Sequence, residues 1–351
     1  MPGAQVLSEM AEQPGVLAGI ADVRPRLHEE LRRALPAQLR GVCLVARGSS
    51  DNVAVHARYL LELATGLPVS SIAPSIVTRY RHGLQVQDCL VVALSQSGRT
   101  PEIVDVAQQL GQAGGVVVAV TNDASSPLAQ AAAVNLAVGT SRELAVPATK
   151  TVTGQLALVA VLAEAVGAGI EAFTGGEAAW SALAGTVAGV LDDETGVDAA
   201  VDVLLPRASA IHLARGLTYA AALEGALKAK ETSRRVHEGY SSADFLHGPL
   251  TVAAPDVAVV AYATPGPVLD DVADTARAAA ALGSPVIAVG YPAVADGIDG
   301  TVPVPVPATL GEALAVIPLV VRGQQLAIRT AIALGLDPDA PQGLNKVTAT
   351  T

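Results

Sequence analysis

Short apolar runs alternate with longer segments of helical periodicity along most of the chain. Runs such as GVCLVA, DCLVVA and VVVAVTN are rich in β-branched residues, which favours buried strands. Between them lie segments such as IVDVAQQLGQAGG, in which apolar residues recur at helical spacing. Strands that alternate with helices in this way predict an α/β fold in which helices cover both faces of a parallel sheet.

The pattern repeats at an offset of 168 residues. VARG at residues 45–48 matches LARG at residues 213–216, and VVA at residues 91–93 matches VVA at residues 259–261. Because two separate strand ends share one offset, we predict two copies of a single α/β unit.

The repeat sets the predicted domain boundaries. We expect copy one at about residues 24–165 and copy two at about residues 198–335, each as a parallel sheet flanked by helices. A helix at about residues 4–19 precedes the pair, and a tail at residues 336–351 follows it. The segment TVPVPVPATL alternates with proline, which predicts an edge strand or a connection.

One strand-to-helix joint, ALSQSGRTPEI, is dense in hydrogen-bonding residues. Ser95, Gln96, Ser97 and Thr100 follow a buried strand, and Thr100 before Pro101 predicts a helix start. The second copy has ATPG at the corresponding place, so the turn alone does not require these groups. Hydroxyls beside the amides of a helix N-terminus predict a phosphate site, and a well-capped turn is the alternative.

A second polar joint, RGSSDN, follows the earlier strand GVCLVA. We expect Ser49 and Ser50 to lie next to the first joint, because the carboxyl ends of parallel strands meet at one edge of a sheet. An ordinary helix cap is the alternative interpretation of this segment.

Composition narrows the range of partners. A net charge of −11 argues against nucleic acid and anionic membranes, which both require clustered Lys and Arg. The start MPGAQVLSEMAEQPG lacks a secretory signal, and Glu164 interrupts the most membrane-like run, at residues 155–170. We therefore expect a cytoplasmic protein. The two cysteines lack CxxC spacing, so neither redox chemistry nor a metal site is expected.

The chain resembles the sugar isomerase (SIS) domain in three motifs that occur in the family's order, RGSS, SQSGRT and ATKTVTGQL. Nearly the whole chain resembles the isomerase half of glucosamine-6-phosphate synthase, and also stand-alone glucosamine-6-phosphate deaminases and fructosamine-6-phosphate deglycases of SIS type. The resemblance implies two tandem SIS domains, each a flavodoxin-like three-layer sandwich. Residue 1 is not Cys, so we expect the glutaminase domain of the synthase to be absent.

The resemblance also assigns a sugar phosphate to the two polar joints. The residues that it implies for this site are Ser49, Ser50, Ser95, Gln96, Ser97 and Thr100. Arg99 stands where the synthase has a glutamate, which argues against the synthase itself.

In the second copy, Glu224, Lys228 and Glu231 fall at i, i+4 and i+7 on one helix face. A solvated salt-bridge face is one interpretation, but the surrounding Ala, Leu and Gly favour a helix that is packed on both sides. A carboxylate with a nearby cation suits proton transfer between C1 and C2 of a sugar. The resemblance implies that Glu231 moves this proton and that Lys228 lies in the active site.

Two further catalytic residues are implied by the resemblance. The counterpart of His247, in FLHGPL, opens the sugar ring from the neighbouring subunit, which implies a homodimer with a shared site. The counterpart of Lys346 forms a Schiff base with the open-chain ketose, so we expect an enclosed amine with a lowered pKa in a tail that closes the site. Lys150, in PATKT, is expected to brace a helix.

The resemblance, together with these residues, implies an enzyme that converts glucosamine 6-phosphate to fructose 6-phosphate and ammonia. No metal or organic cofactor is expected, since the carbonyl or imine of the substrate serves as the electron sink. Deglycation of a fructosamine 6-phosphate and aldose–ketose isomerisation are alternatives on the same scaffold. A non-catalytic phosphosugar sensor is the alternative of another class.

Overall fold

The computed structural model describes residues 1–346, which form two parallel sheets of five strands each. The predicted α/β fold with two parallel sheets is confirmed. Residues 347–351 of the predicted tail lie outside the described residues. The strands are β1 Gly41–Val45, β2 Val69–Ser71, β3 Cys89–Leu94, β4 Val116–Thr121, β5 Val134–Ala137, β6 Ser209–Ala214, β7 Val236–Ser241, β8 Val257–Ala263, β9 Val286–Gly290 and β10 Val302–Pro305.

Helices connect the strands of both sheets. They are α1 Ala4–Ala11, α2 Gln13–Ala34, α3 Ser49–Thr65, α4 Pro74–Thr78, α5 Pro101–Gln112, α6 Pro127–Ala131, α7 Lys150–Val166, α8 Glu171–Thr174, α9 Gly176–Asp192, α10 Val197–Leu204, α11 Tyr219–Ser233, α12 Ser242–Leu246, α13 Leu269–Ala281 and α14 Glu312–Ala333. Within the described residues, no helix is both long and apolar enough to span a membrane.

The N-terminal helix predicted at about residues 4–19 is wrong in its bounds. The chain instead forms α1 and then α2, with Glu12 between them. Pro14 stands in the first turn of α2, where a missing backbone N–H is tolerated, so it suits a new helix start better than a continued helix.

Both sheets have the same topology. The strand orders are β2-β1-β3-β4-β5 and β10-β9-β8-β6-β7, so each strand of the first sheet has an equivalent in the second. All of these pairs are parallel. Strand order reverses between β1 and β3, and ligands of such sheets bind outside the carboxyl ends of strands at this point. The proline-alternating segment forms β10 at a sheet edge, as predicted.

The 168-residue repeat is also a repeat of the two hydrophobic cores. Val91 of β3 is buried in the core with Val106 of α5. Val259, which is 168 residues further on, occupies the equivalent place on β8 in the core that also contains Ala276 of α13. The matched apolar residues therefore carry the same packing role in both copies.

Contacts divide the chain into two compact units, named here after their sheets. The first-sheet unit contains residues 15–143, 150–172 and 345–346 of the described chain, and the second-sheet unit contains residues 1–14, 144–149 and 173–344. Helix α1 thus belongs to the second-sheet unit, where Val6 and Met10 share a cluster with Ala145 and Ile328.

Candidate active site

The polar joint after β3 turns sharply into α5. The helix begins at Pro101, as predicted. Thr100 is the N-cap residue of this helix, and among the described residues its side chain makes no capping hydrogen bond. Its hydroxyl oxygen instead lies 3.4 Å from Ser95 Oγ. Ser97 Oγ accepts the backbone N–H of Arg99 at 3.2 Å, which tightens the turn.

Gly98 is required in this joint for two reasons. Its φ of +61° lies in the left-handed region, which favours glycine. A Cβ atom at this position would also lie 2.1 Å from Ser126 Oγ and 2.9 Å from Thr121 Oγ1. The Gly98 carbonyl accepts the Leu128 N–H at 3.1 Å, which fixes the joint against α6.

The joint has the groups that an anion site requires. Ser95 is buried, whereas Gln96 and Ser97 are half-buried and within reach of a ligand. Within residues 1–346, the backbone N–H groups of Ser97 and Thr100 have no hydrogen-bond acceptor. These donors lie at the start of α5, the positive end of the helix dipole, so the arrangement suits a phosphate.

The second polar joint leaves the same edge of the first sheet. Strand β1 pairs with β3, and Val45 lies opposite Ala93 at the ends of both strands. Ser49 is half-buried at the start of α3. Ser50 is buried, and its hydroxyl donates to Gln155 Oε1 of α7 at 3.1 Å. Ser50 therefore fixes α3 against α7 beside the first joint.

A cavity of about 480 Å³ opens at the first joint. It lies within the first-sheet unit and joins two predicted phosphate residues to the predicted imine lysine. Its lining residues are Gln96, Ser97, Arg99, Asn122, Asp123, Arg142, Glu143 and Lys346. The described lining does not include Ser49, Ser50, Ser95 or Thr100.

Lys346 is half-buried, and its amine is paired. Its Nζ lies 2.8 Å from Glu143 Oε2, and the two side chains are 20% and 0% exposed. Glu143 also accepts the Thr151 hydroxyl at 2.7 Å and the Thr151 N–H at 3.2 Å. A role for Glu143 was not predicted from the sequence. The segment SRELAVPATK shows that Glu143 lies close to the ATKTVTGQL motif, but its partner Lys346 lies 203 residues further along the chain.

Lys150 braces the chain, as expected. It is the first residue of α7, it is fully buried, and its Nζ donates to Ser141 Oγ at 2.7 Å. The lysine therefore holds the segment before α7 in place.

In the second-sheet unit, Glu224, Lys228 and Glu231 of α11 form an ion-pair network, called here the Lys228 network. Lys228 Nζ lies 3.6 Å from Glu224 Oε1 and also contacts Glu231 Oε2. The Lys228 and Glu224 side chains are only 2% exposed, so the interpretation as a solvated face is wrong. Glu231 is 22% exposed and is the member most open to a ligand.

His247 lies at the end of α12 and is exposed. Its backbone N–H donates to the Asp244 carbonyl at 3.1 Å. An exposed ring is compatible with the predicted reach into a neighbouring subunit, and the homodimer itself stays a prediction. In the described part of the chain, no group of three His, Cys, Asp or Glu is arranged to hold a metal ion.

A buried polar row crosses the second sheet and was not predicted. His212 Nδ1 lies 3.1 Å from Tyr262 Oη, and His212 Nε2 lies 3.0 Å from His237 Nδ1. Burial, with the charge of Arg235, lowers the pKa of His237 to about 4, and burial also lowers the pKa of His212. A Cβ at Gly225 of α11 would lie 2.4 Å from Tyr262 Oη, so this row directly contacts the helix of the Lys228 network.

Comparison with known families and curated proteins identifies relatives of both units. The SIS domain family matches residues 37–165 and 204–290. Glutamine–fructose-6-phosphate aminotransferase (isomerizing) from Gloeobacter violaceus is 32% identical over 97% of this chain. The chain spans only 58% of the length of that relative.

Solved structures share the fold over nearly the whole chain. A candidate phosphosugar isomerase from Silicibacter pomeroyi is 32% identical, with a TM-score of 0.81 that covers 97% of this chain and 100% of the other. Glucosamine-6-phosphate deaminase from Thermotoga maritima has a TM-score of 0.76 over 99% of this chain and 100% of its own. It is 22% identical, so this likeness shows the fold alone.

Proposed function

The chain belongs to the SIS domain family, within which its relatives include phosphosugar enzymes, and we propose that it converts glucosamine 6-phosphate to fructose 6-phosphate and ammonia. One observation carries the proposal. Ser97 of the anion-binding joint and the amine of Lys346 line one cavity of about 480 Å³. Imine chemistry on a phosphosugar requires a loop that binds the phosphate and an amine that attacks the carbonyl carbon.

Phosphate binding fixes the substrate at the first joint. The free amides of Ser97 and Thr100 and the hydroxyls around them hold the dianion, and the α5 dipole favours its charge. Gln96 completes the wall of the cavity, Ser50 and Ser95 hold the two joints in position through their hydroxyls, and Ser49 lies half-buried at the start of α3. This site recognises the phosphate and leaves the other end of the sugar to the catalytic groups.

Residues of the second-sheet unit supply the proton transfer. His247, from the partner subunit of a homodimer, assists ring opening to the free aldehyde. Glu231 takes the proton from C2 and returns it to C1, and the ammonium of Lys228 stabilises the negative charge that develops between these steps. The product of this stage is the C2 imine of fructose 6-phosphate.

Lys346 then releases ammonia. Glu143 accepts a proton from the Lys346 ammonium, to which it is paired at 2.8 Å. The free amine attacks C2, the original nitrogen leaves as ammonia, and an imine joins C2 to Lys346. Water hydrolyses this imine to fructose 6-phosphate and restores the lysine. Overall, one water is consumed for each ammonia released. The C1 aldehyde is the electron sink for the proton transfer, and the C2 imine is the electrophile for the exchange of nitrogen.

The test is incubation of the purified protein with glucosamine 6-phosphate while ammonia and fructose 6-phosphate are both measured. We expect the two products in equal amounts, and none from glucosamine, which lacks the phosphate. Release of an amine from a fructosamine 6-phosphate without ammonia from glucosamine 6-phosphate would replace this reaction by deglycation. Interconversion of aldose and ketose phosphates alone would replace it by isomerisation. Tight binding with no turnover of any of these sugars would favour a sensor.

A further inference from the structure

We propose that Arg142 binds a carboxylate on the ligand, at the end of the sugar opposite its phosphate. This proposal rests on the phosphate site of the proposed function and assigns a second class of ligand to that site, since glucosamine 6-phosphate has no carboxylate. Arg142 lines the same cavity as Gln96 and Ser97 of the first joint. No role for it follows from the phosphate chemistry or from the imine chemistry described above.

The backbone that carries Arg142 is held rigidly. Asn122 Nδ2 donates to the carbonyls of Thr140 at 3.2 Å and Ser141 at 3.3 Å, and its Oδ1 accepts the Thr140 N–H at 3.0 Å. On the residue before Arg142, the Ser141 hydroxyl accepts from Lys150 Nζ, and on the residue after it, the Glu143 carboxylate accepts the Thr151 hydroxyl at 2.7 Å. The contacts on both sides of Arg142 thus fix its backbone at the cavity wall, as a preorganised binding residue requires.

The other two cations of the cavity are already neutralised. Arg99 is 2.8 Å from Asp123, and Lys346 is 2.8 Å from Glu143. Hydrogen bonds from Ser125 and Arg99 lower the pKa of Asp123 to about 2, so this carboxylate is charged at neutral pH.

Arg142 differs from both. It is exposed, and within residues 1–346 its guanidinium has neither an ion-pair nor a hydrogen-bond partner. The described lining of the cavity therefore contains one unneutralised positive charge, in a chain whose net charge is −11.

The geometry of a guanidinium selects the class of ligand. Its planar fork of donors matches both oxygens of a carboxylate, and a charge-assisted pair of this kind is stronger than a neutral hydrogen bond. A cavity of about 480 Å³ is of the size that holds a small organic ligand, so it has room beyond the phosphate. The ligand class is a phosphorylated open-chain sugar derivative with a terminal carboxylate.

Two non-reacting probes isolate this contact. 6-Phosphogluconate and sorbitol 6-phosphate are both six-carbon open-chain phosphates, and they differ at C1, which is a carboxylate in the first and a hydroxymethyl group in the second. By calorimetry, we expect the wild-type protein to bind 6-phosphogluconate at least about tenfold more tightly. Arg142→Gln should remove this preference and leave the affinity for sorbitol 6-phosphate unchanged.

Matched variants exclude an effect of charge at a distance. Arg142→Lys keeps the charge without the fork, so we expect it to retain only part of the preference. Arg40→Gln removes an exposed arginine from outside the cavity lining and should retain all of it.

Equal binding of both probes by the wild-type protein would overturn the proposal, although the phosphate site would stand. Equal weakening of both probes in Arg142→Gln would assign Arg142 to the phosphate instead and would also overturn it. Failure of both probes to bind at all would overturn the phosphate site and the proposed function together.

Discussion

Replacing Glu231 by Gln tests the proton-transfer step with little change in shape. The amide cannot accept the substrate proton, yet it keeps the size of the side chain. Lys228 loses one of its two carboxylate partners and keeps Glu224 Oε1 at 3.6 Å, so the buried ammonium is still paired. Turnover should therefore fall without loss of the fold.

The two expected magnitudes differ widely. A positioned general base contributes about 10²–10⁴-fold to the rate, which corresponds to about 3–5 kcal/mol of transition-state stabilisation. Because the Glu231 side chain is 22% exposed, its loss should change the free energy of unfolding by only about 1 kcal/mol. Glu224→Gln is the matched control, since Glu224 is 2% exposed and its loss should cost about 3–5 kcal/mol of stability.

The assay measures kcat from ammonia release, binding of glucosamine 6-phosphate by calorimetry, and unfolding by denaturant. For Glu231→Gln, we expect a kcat lower by about 10²–10⁴-fold, with unchanged sugar-phosphate affinity and nearly unchanged stability. A kcat within about threefold of the wild-type value would refute the assignment of Glu231 as the base, because a positioned general base typically contributes about 10²-fold or more. Loss of affinity equal to the loss of turnover would refute it as well.

Two further predictions concern the phosphate joint and the buried row. Gly98→Ala should weaken sugar-phosphate binding at least about tenfold in calorimetry, because the new Cβ would overlap Ser126 Oγ and the backbone would be strained at positive φ. The control Gly83→Ala, whose new Cβ would lie in open space, should bind the sugar phosphate normally. Lowering the pH from 7 to 5 should reduce the free energy of unfolding in denaturant titrations. The pKa of His237 is about 4 in the folded protein and about 6.5 in the unfolded chain. As the pH falls from 6.5 to 4, the unfolded chain binds a proton that the folded protein does not, so the free energy of unfolding decreases over this range. The exposed His82→Asn should keep this slope, and a flat dependence in the wild-type protein would contradict the burial argument.

The fold could be predicted because its signals are local or repeated. Apolar runs predicted β1, β3 and β4, and the 168-residue offset matched β1 to β6 and β3 to β8. The start of α5 followed from Thr100 before Pro101, and the edge position of β10 followed from its prolines. Such signals need no knowledge of which distant residues meet.

The sites that depend on distant contacts could not be predicted in the same way. Glu143 pairs with a lysine 203 residues further on, and no local pattern indicates this. His212, His237 and Tyr262 come from three different strands, so their row exists only after the sheet forms. The sequence also did not determine whether the Lys228 network is buried, because residues at i, i+4 and i+7 share one helix face whether that face is solvated or packed.

The proposed function requires that the first joint binds the phosphate of a sugar and that Lys346 reacts with C2 of the same sugar. The most direct measurement is incubation with fructose 6-phosphate and borohydride, which reduces an imine to a stable secondary amine, followed by peptide mass mapping. We expect a single sugar adduct, on Lys346. This adduct should be absent from the Ser97→Ala variant and from the wild-type protein in excess inorganic phosphate. No adduct in the wild-type protein, or an adduct on another lysine that phosphate does not suppress, would contradict the proposed function.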